Sequence, residues 1–156
     1  MQSQQVEVLR SLLTERRVLS LAVLVDDQPV IGLLPFAVTA DHRALIVHAS
    51  RLARHTRGLV DGAPFDAMVH ELDTDDVDPL QVKRATLRGT VKAASEDEAL
   101  HGEARAAYLA KFPSAEPITT LGDFAFFRLE ITGGRIVTGF GAAANITADV
   151  LQGLGS

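Results

Sequence analysis

The chain has 156 residues, 47% of them hydrophobic and 22% charged, with a formal net charge of −5 and no cysteine. That length and apolar share suit a single domain, residues 1–156, whose core is large enough to fold without covalent staples. The missing cysteines exclude disulfide scaffolds, cysteine-built metal centres and thiol chemistry, and an acidic balance with no Trp and one Tyr argues against a nucleic-acid partner.

The N-terminal MQSQQVEVLRSLLTERR has neither the apolar run nor the small-residue cleavage site of a secretory leader. Val6, Leu9, Leu12 and Leu13 recur at helical spacing and predict a short amphipathic helix ending near Arg16–Arg17. VLSLAVLV and PVIGLLPFAV follow, joined by DDQ, and read as an antiparallel hairpin. The first of these, Val18–Val25, is the longest strongly apolar stretch, far short of the roughly 20 residues of a membrane span. A cytoplasmic protein without a membrane partner is expected. Pro35 has no ladder donor, so the second strand should be an edge strand or carry a bulge there. ALIVHAS is a third strand. SRLARHTRGLV then predicts a short helix with Ser50 as its N-cap and Gly58 or Gly62 as its stop.

PFDAMVHEL is a fourth strand, DTDDVDP a solvated acidic loop, and QVKRATLRGTVKAA a long fifth strand of period two. SEDEALHGEARAAYLAKF predicts a helix of about 17 residues, opened by a capping box of Ser95 with Glu98 and stopped before Pro113. DFAFFRLEI and RIVTGFG read as two strands joined by a TGG turn, with NITADVLQGL as a short terminal helix. The fold class expected is mainly β (α+β): an antiparallel split or closed β-barrel with short flanking helices.

The stretch His48–Leu59 is the most unusual chemically. Arg51, Arg54 and Arg57 lie three apart, beside Ser50, His55 and Thr56, and together they make a candidate anion clamp at a helix start. A solvated arginine face is the plain alternative. Arg84, Thr86 and Arg88 share one face of the fifth strand, which must reach solvent, an anion or a partner subunit, because buried unpaired guanidiniums are costly. The five histidines are scattered, and His48 or His70 is best read as a structural hydrogen-bonding residue. No HxH, HExxH, nucleophile elbow or calcium-loop pattern is present, so no metal site is expected. Donors for an anionic small molecule without acid–base machinery favour chemistry borrowed from a cofactor.

The succession PVIGLLPFAV, ALIVHASRLARHTRGL, KRATLRGTVK, AYLAKFPSA and DFAFFRLEITGGRIVTGFG resembles the pyridoxamine 5′-phosphate oxidase-like FMN-binding split barrels, closest to their heme-utilisation branch. The resemblance runs from about Leu12 to Ala143. It implies an FMN-binding split-barrel homodimer with the flavin sites between subunits. It places the flavin phosphate on Ser50, Arg54, His55 and Thr56, with the isoalloxazine ring beside Leu34, Pro35 and Phe36. Arg84 falls where the fifth strand contributes a polar residue, and Phe140 and Gly141 approach the ring from the other chain. His55 stands where many relatives have Lys. The RxHxR pattern of pyridoxamine-phosphate-oxidising members is absent, and no His lies beyond His101. The expectation is an FMN-dependent oxidoreductase acting on an unidentified small molecule, with no individual catalytic acid or base assigned. The alternatives are a heme-binding or heme-degrading protein using the same cleft, where Arg54, Arg84 or Arg88 would pair with propionates, a non-enzymatic flavin carrier or sensor, and a deazaflavin enzyme.

Overall fold

Apolar residues alternate with small or polar ones in PFDAMVH and RATLRGTVKA, a period-two pattern that puts one face of such a strand inward. The computed structural model, which describes residues 1–94 and 97–155, has seven strands among the described residues. After helix α1 (Ser3–Glu15) come β1 (Val18–Val25), β2 (Gln28–Val38), β3 (Ala44–Ser50), β4 (Pro64–His70) and β5 (Arg84–Ala93). Helix α2 (Glu98–Lys111), the single turn α3 (Glu116–Thr119), β6 (Phe124–Gly139), β7 (Ala142–Ile146) and α4 (Ala148–Leu154) complete it. The sheet order is β3-β2-β1-β4-β5-β6-β7, all antiparallel, and β3 also pairs β6. Six strands therefore close into a barrel, and β7 is added outside on the far half of β6.

Asp26 and Asp27 both take positive φ (52° and 59°), which makes the two-residue turn that joins Val25 to Gln28. β2 pairs β1 from Gln28 to Pro35 and pairs β3 only from Phe36 to Val38. Pro35 thus sits where the strand changes neighbours, and its missing donor leaves no gap in a ladder. Inside the barrel lie Leu19, Leu21, Val23, Leu34, Phe65, Leu87 and Leu129, with Leu9, Leu12 and Leu13 of α1 packed on them. A smaller cluster of Ile46, Ala104, Tyr108, Phe112 and Phe126 fastens α2 to the outside of β3 and β6.

Three expectations need correction. TGG is not a turn: Phe124–Gly139 is one strand of 16 residues. It crosses from β3 to β7, and the register against β5 slips beside Gly133, between Arg88 and Gly89. A Cβ at Gly134 would lie 2.2 Å from the Thr86 carbonyl oxygen, so glycine serves close strand contact here. The terminal helix starts at Ala148, because Ala142–Ile146 forms β7. The predicted helix after Ser50 is a 3-10 turn of five residues, Arg54–Gly58, whose N-cap is Ala53. The capping box placed at Ser95 lies outside the described residues, and the Asp97 carboxylate caps α2 by accepting from the Leu100 amide at 3.1 Å.

Candidate functional site

The chain leaves β3 and folds back over Ser50. The Ala53 amide donates to the Ser50 carbonyl (3.1 Å), the Leu52 amide to Ser50 Oγ (3.2 Å) and Thr56 Oγ1 to the Ser50 carbonyl (2.5 Å). The Arg51 amide bonds the Asp123 carbonyl at the entry of β6 (2.6 Å). These bonds make a rigid knuckle out of residues 50–58. In a 3-10 turn side chains three apart eclipse, so Arg54 and Arg57 project together. A cavity of about 320 Å³ opens beside the knuckle, lined by Arg51, Thr56, Arg57, Ala125 and Phe127.

The arginines are not equivalent. Arg57 Nη2 lies 3.2 Å from Asp26 Oδ2, an exposed pair across the mouth of the β1–β2 hairpin. Arg51 and Arg54 form no ion pair among the described residues. His55 lies flat against β2: a Cβ at Gly32 would come within 2.5 Å of its Nδ1. Its Nε2 is buried without a hydrogen-bond partner among the described residues, and burial pushes the ring's pKa down. Thr56 is buried, and its hydroxyl is engaged by Ser50. Of the expected clamp, Ser50, Arg54, His55 and Thr56 stand on one knuckle. Arg51 joins them through the cavity it lines, and the regular arginine spacing was the signal for it.

The other expected residues stand elsewhere. Leu34 and Phe36 point into the protein, whereas Pro35 is exposed, so near a ligand the first two could offer only their main chain. The backbone of Gln28–Pro35 that faces away from β1 has no strand partner among the described residues and borders the knuckle. Arg84 donates from Nη1 to the carbonyls of Val82 (2.9 Å) and Leu80 (3.3 Å). It lies opposite His70 of β4 and Val137 of β6, three strand spacings, or about 14 Å, from β2. Phe140, 80% exposed, and Gly141, with φ of 71°, form the tip of the β6–β7 hairpin. The expected residues therefore fall into two separate groups, the knuckle at one side of the sheet and Arg84 with the hairpin tip at the other.

Of the two histidines expected to make a structural hydrogen bond, His70 does so, with Nδ1 2.6 Å from the Glu71 carbonyl oxygen. His48, behind the knuckle, is instead buried in an aromatic nest with no side-chain hydrogen bond among the described residues. Its ring centroid lies 4.3 Å from that of Phe126, 5.1 Å from Phe124 and 5.6 Å from Tyr108. Burial, reinforced by the nearby His101, drives its pKa down to about 4. Among the described residues no three or more His, Asp or Glu side chains converge as a metal site, and no helix is long and apolar enough to cross a membrane.

A family model described as CREG, beta-barrel matches residues 45–151. The heme oxygenase HutZ of Vibrio cholerae serotype O1 is 29% identical over 140 residues, 88% of this chain and 78% of that protein. A crystal structure of HutZ, there called a heme storage protein, superposes with a TM-score of 0.70 at 25% identity, over 83% of this chain and 89% of that one. A heme-binding protein from Mycobacterium smegmatis superposes with a TM-score of 0.81 at 23% identity over 98% of this chain. This chain spans 62% of that protein's length. An FAD- and heme-binding protein from the same organism superposes with a TM-score of 0.61 at 22% identity, over 90% of this chain and 70% of that one.

Proposed function

The chain belongs to the CREG β-barrel family of pyridoxamine-phosphate-oxidase-like split barrels, on their heme-utilisation branch, and from that premise we propose that it binds FMN between two copies of itself and works as a flavin-dependent oxidoreductase. The observation that carries the reading is the pair of guanidiniums, Arg51 and Arg54, which form no ion pair among the described residues and stand beside the Ser50 hydroxyl on a rigid knuckle in a protein of net charge −5. Guanidiniums and hydroxyls are the donor set of a phosphate monoester. The orphaned His55 Nε2 supplies one further buried polar atom with no protein partner. These residues fit the cofactor's phosphate.

In this reading Arg51 and Arg54 hold the phosphate, and Ser50 donates its hydroxyl proton. The main chain of Gln28–Pro35, without a strand partner among the described residues, would offer its amides and carbonyls to the ring. Bound there, FMN supplies hydride or electron exchange that the side chains cannot perform. Arg84, Phe140 and Gly141 reach the ring from a second copy, because their own knuckle is three strands away. A visible spectrum of the purified protein, followed by FMN titration and addition of NAD(P)H, tests this. The expected outcome is saturable flavin binding and bleaching of the flavin absorbance by the nicotinamide or a comparable donor. Flavin that binds but never turns over with any donor supports a carrier or sensor instead. A deazaflavin titrated in parallel distinguishes that cofactor.

The likeness to HutZ favours a second reading, heme held in the same cleft. Arg54, Arg84 or Arg88 would then meet the propionates; of the Arg84 guanidinium the structure engages only Nη1, on the carbonyls of Leu80 and Val82. Hemin added to the protein without any Soret shift rejects it.

A further inference from the structure

The register slip in the β5–β6 ladder leaves Thr132 without a rung, because Arg88 faces Gly133 and Gly89 faces Ile131. A bulge of this kind re-aims the side chains around it. Thr132 Oγ1 donates to the Arg88 carbonyl at 3.3 Å. Gly133 and Gly134 add no side chain to the sheet there, and a cavity of about 470 Å³ opens over them. Arg88 of β5 and Arg135 of β6 line it, with Asn145 of β7 opposite Arg135.

Both guanidiniums are placed at this cavity by their surroundings. A Cβ at Gly133 would lie 3.9 Å from Nε and from Nη2 of Arg88, so that fork is drawn over the glycine floor. Arg135 Nη1 donates to Asn145 Oδ1 at 3.2 Å, which fixes the second fork and leaves the Asn145 amide hydrogens as further donors. Neither arginine forms an ion pair among the described residues, although Asp66 of β4 stands opposite Arg88 in the ladder. No Asp or Glu is among the lining residues. Two like charges at one cavity repel each other, and an anion between them reverses the sign of that interaction.

We propose that this cavity binds a small molecule by its diphosphate, with Arg88 and Arg135 on the phosphate oxygens and Asn145 as a neutral donor. The donor set decides the class. A diphosphate presents two adjacent anionic centres with oxygens on every side, so both forks and the amide are met at once, whereas a carboxylate offers a single edge to one fork. The site is separate from the places described above and does not depend on the flavin reading. Its walls come from β5, β6, β7 and the start of α4, and not from the knuckle or the apolar face of β1, β2 and β4. Arg88 lies about 13 Å along β5 from Arg84. Arg88 is shared with the heme reading; Arg135 and Asn145 belong to neither reading.

Calorimetry on the full chain should use sodium pyrophosphate and, as the dicarboxylate counterpart, sodium succinate. Saturable pyrophosphate binding, with succinate weaker by about tenfold or more, is the expected result. The knuckle also carries two arginines, so the titration is repeated on Arg51→Ala combined with Arg54→Ala, where pyrophosphate binding should persist. Arg88→Gln and Arg135→Gln should each weaken it by about tenfold or more, the scale of a lost charged hydrogen bond, in proteins whose circular dichroism is unchanged. Arg135→Gln should leave the affinity for FMN, read separately, where it was. No saturable pyrophosphate binding, equal affinity for succinate, binding that disappears with Arg51 and Arg54, or full binding by both glutamine variants would overturn the proposal. Pyrophosphate binding in a chain that ignores FMN keeps this site and removes the flavin reading.

Discussion

Arg57 already has Asp26 as a partner, so among the described residues Arg51 and Arg54 are the two of the three evenly spaced arginines without an ion-pair partner. Arg54→Ala or His55→Ala should weaken FMN binding by about 1–3 kcal/mol, the range for hydrogen bonds to charged groups. Arg57→Ala should change it by less than about 0.5 kcal/mol, because its exposed pair contributes little. Fluorescence titration of FMN reads all three. His48 carries a separate, pH-dependent effect. Its folded pKa of about 4 lies below the ordinary 6.5, so on acidification the unfolded chain takes the proton first. The stability His48 confers is complete above pH 6.5 and is lost progressively as the pH falls through 4. His48→Phe should keep the aromatic nest and flatten that part of the stability profile, measured by urea unfolding across the same window. An unchanged slope would show that His48 is not the group responsible.

Most elements were legible because period two is hard to disguise. β1 and β2 were read as two apolar runs joined by DDQ and β5 from its alternation, and the antiparallel barrel followed from hairpin-like joins. The failures came where local chemistry and tertiary contact disagree. Thr132-Gly133-Gly134 has turn composition, yet Gly134 is demanded by the contact of β5 with β6, where a Cβ would lie 2.2 Å from the Thr86 carbonyl oxygen. Gly134→Val should therefore destabilise the protein by about 3 kcal/mol or more, a clash the backbone must relieve, whereas a glycine serving only as a turn residue would cost less. Chemical denaturation with far-UV circular dichroism measures it. β7 was missed because AAANI carries almost no strand propensity and is recruited by the unpaired edge of β6. The arginine knuckle has helical spacing, but bonds back to Ser50 within six residues leave room only for a tight 3-10 turn. Its chemistry could be read from the sequence. The burial of His55 against Gly32 could not, since no short-range pattern links positions 23 residues apart.

At the scale of the molecule, the outer face of β1, β2 and β4 is unusually apolar for a surface that meets water. Ile31 is 72% exposed and Leu33 69% exposed, with Leu24, Met68 and Leu72 nearby. A patch of this kind marks an interaction surface. It lies between the knuckle and the group formed by Arg84 and Phe140, so under the proposed function a second copy seated there would bring Arg84 and Phe140 to a knuckle. Ile31→Glu should convert a dimer into a monomer in sedimentation velocity and reduce FMN affinity at least about tenfold, since half of the site would be lost. Its effect on unfolding of the monomer should be small, because the side chain is outside the core.

The central claim is that the knuckle grips a phosphate, and comparing FMN with riboflavin tests it most directly. The two ligands share the ring and differ by the terminal phosphate. The account predicts that FMN binds the wild-type chain at least about tenfold more tightly, and that combining Arg51→Ala with Arg54→Ala erases the difference while leaving riboflavin affinity unchanged. Equal affinity for the two flavins in the wild-type chain, or a preference for FMN that survives loss of both arginines, would contradict it.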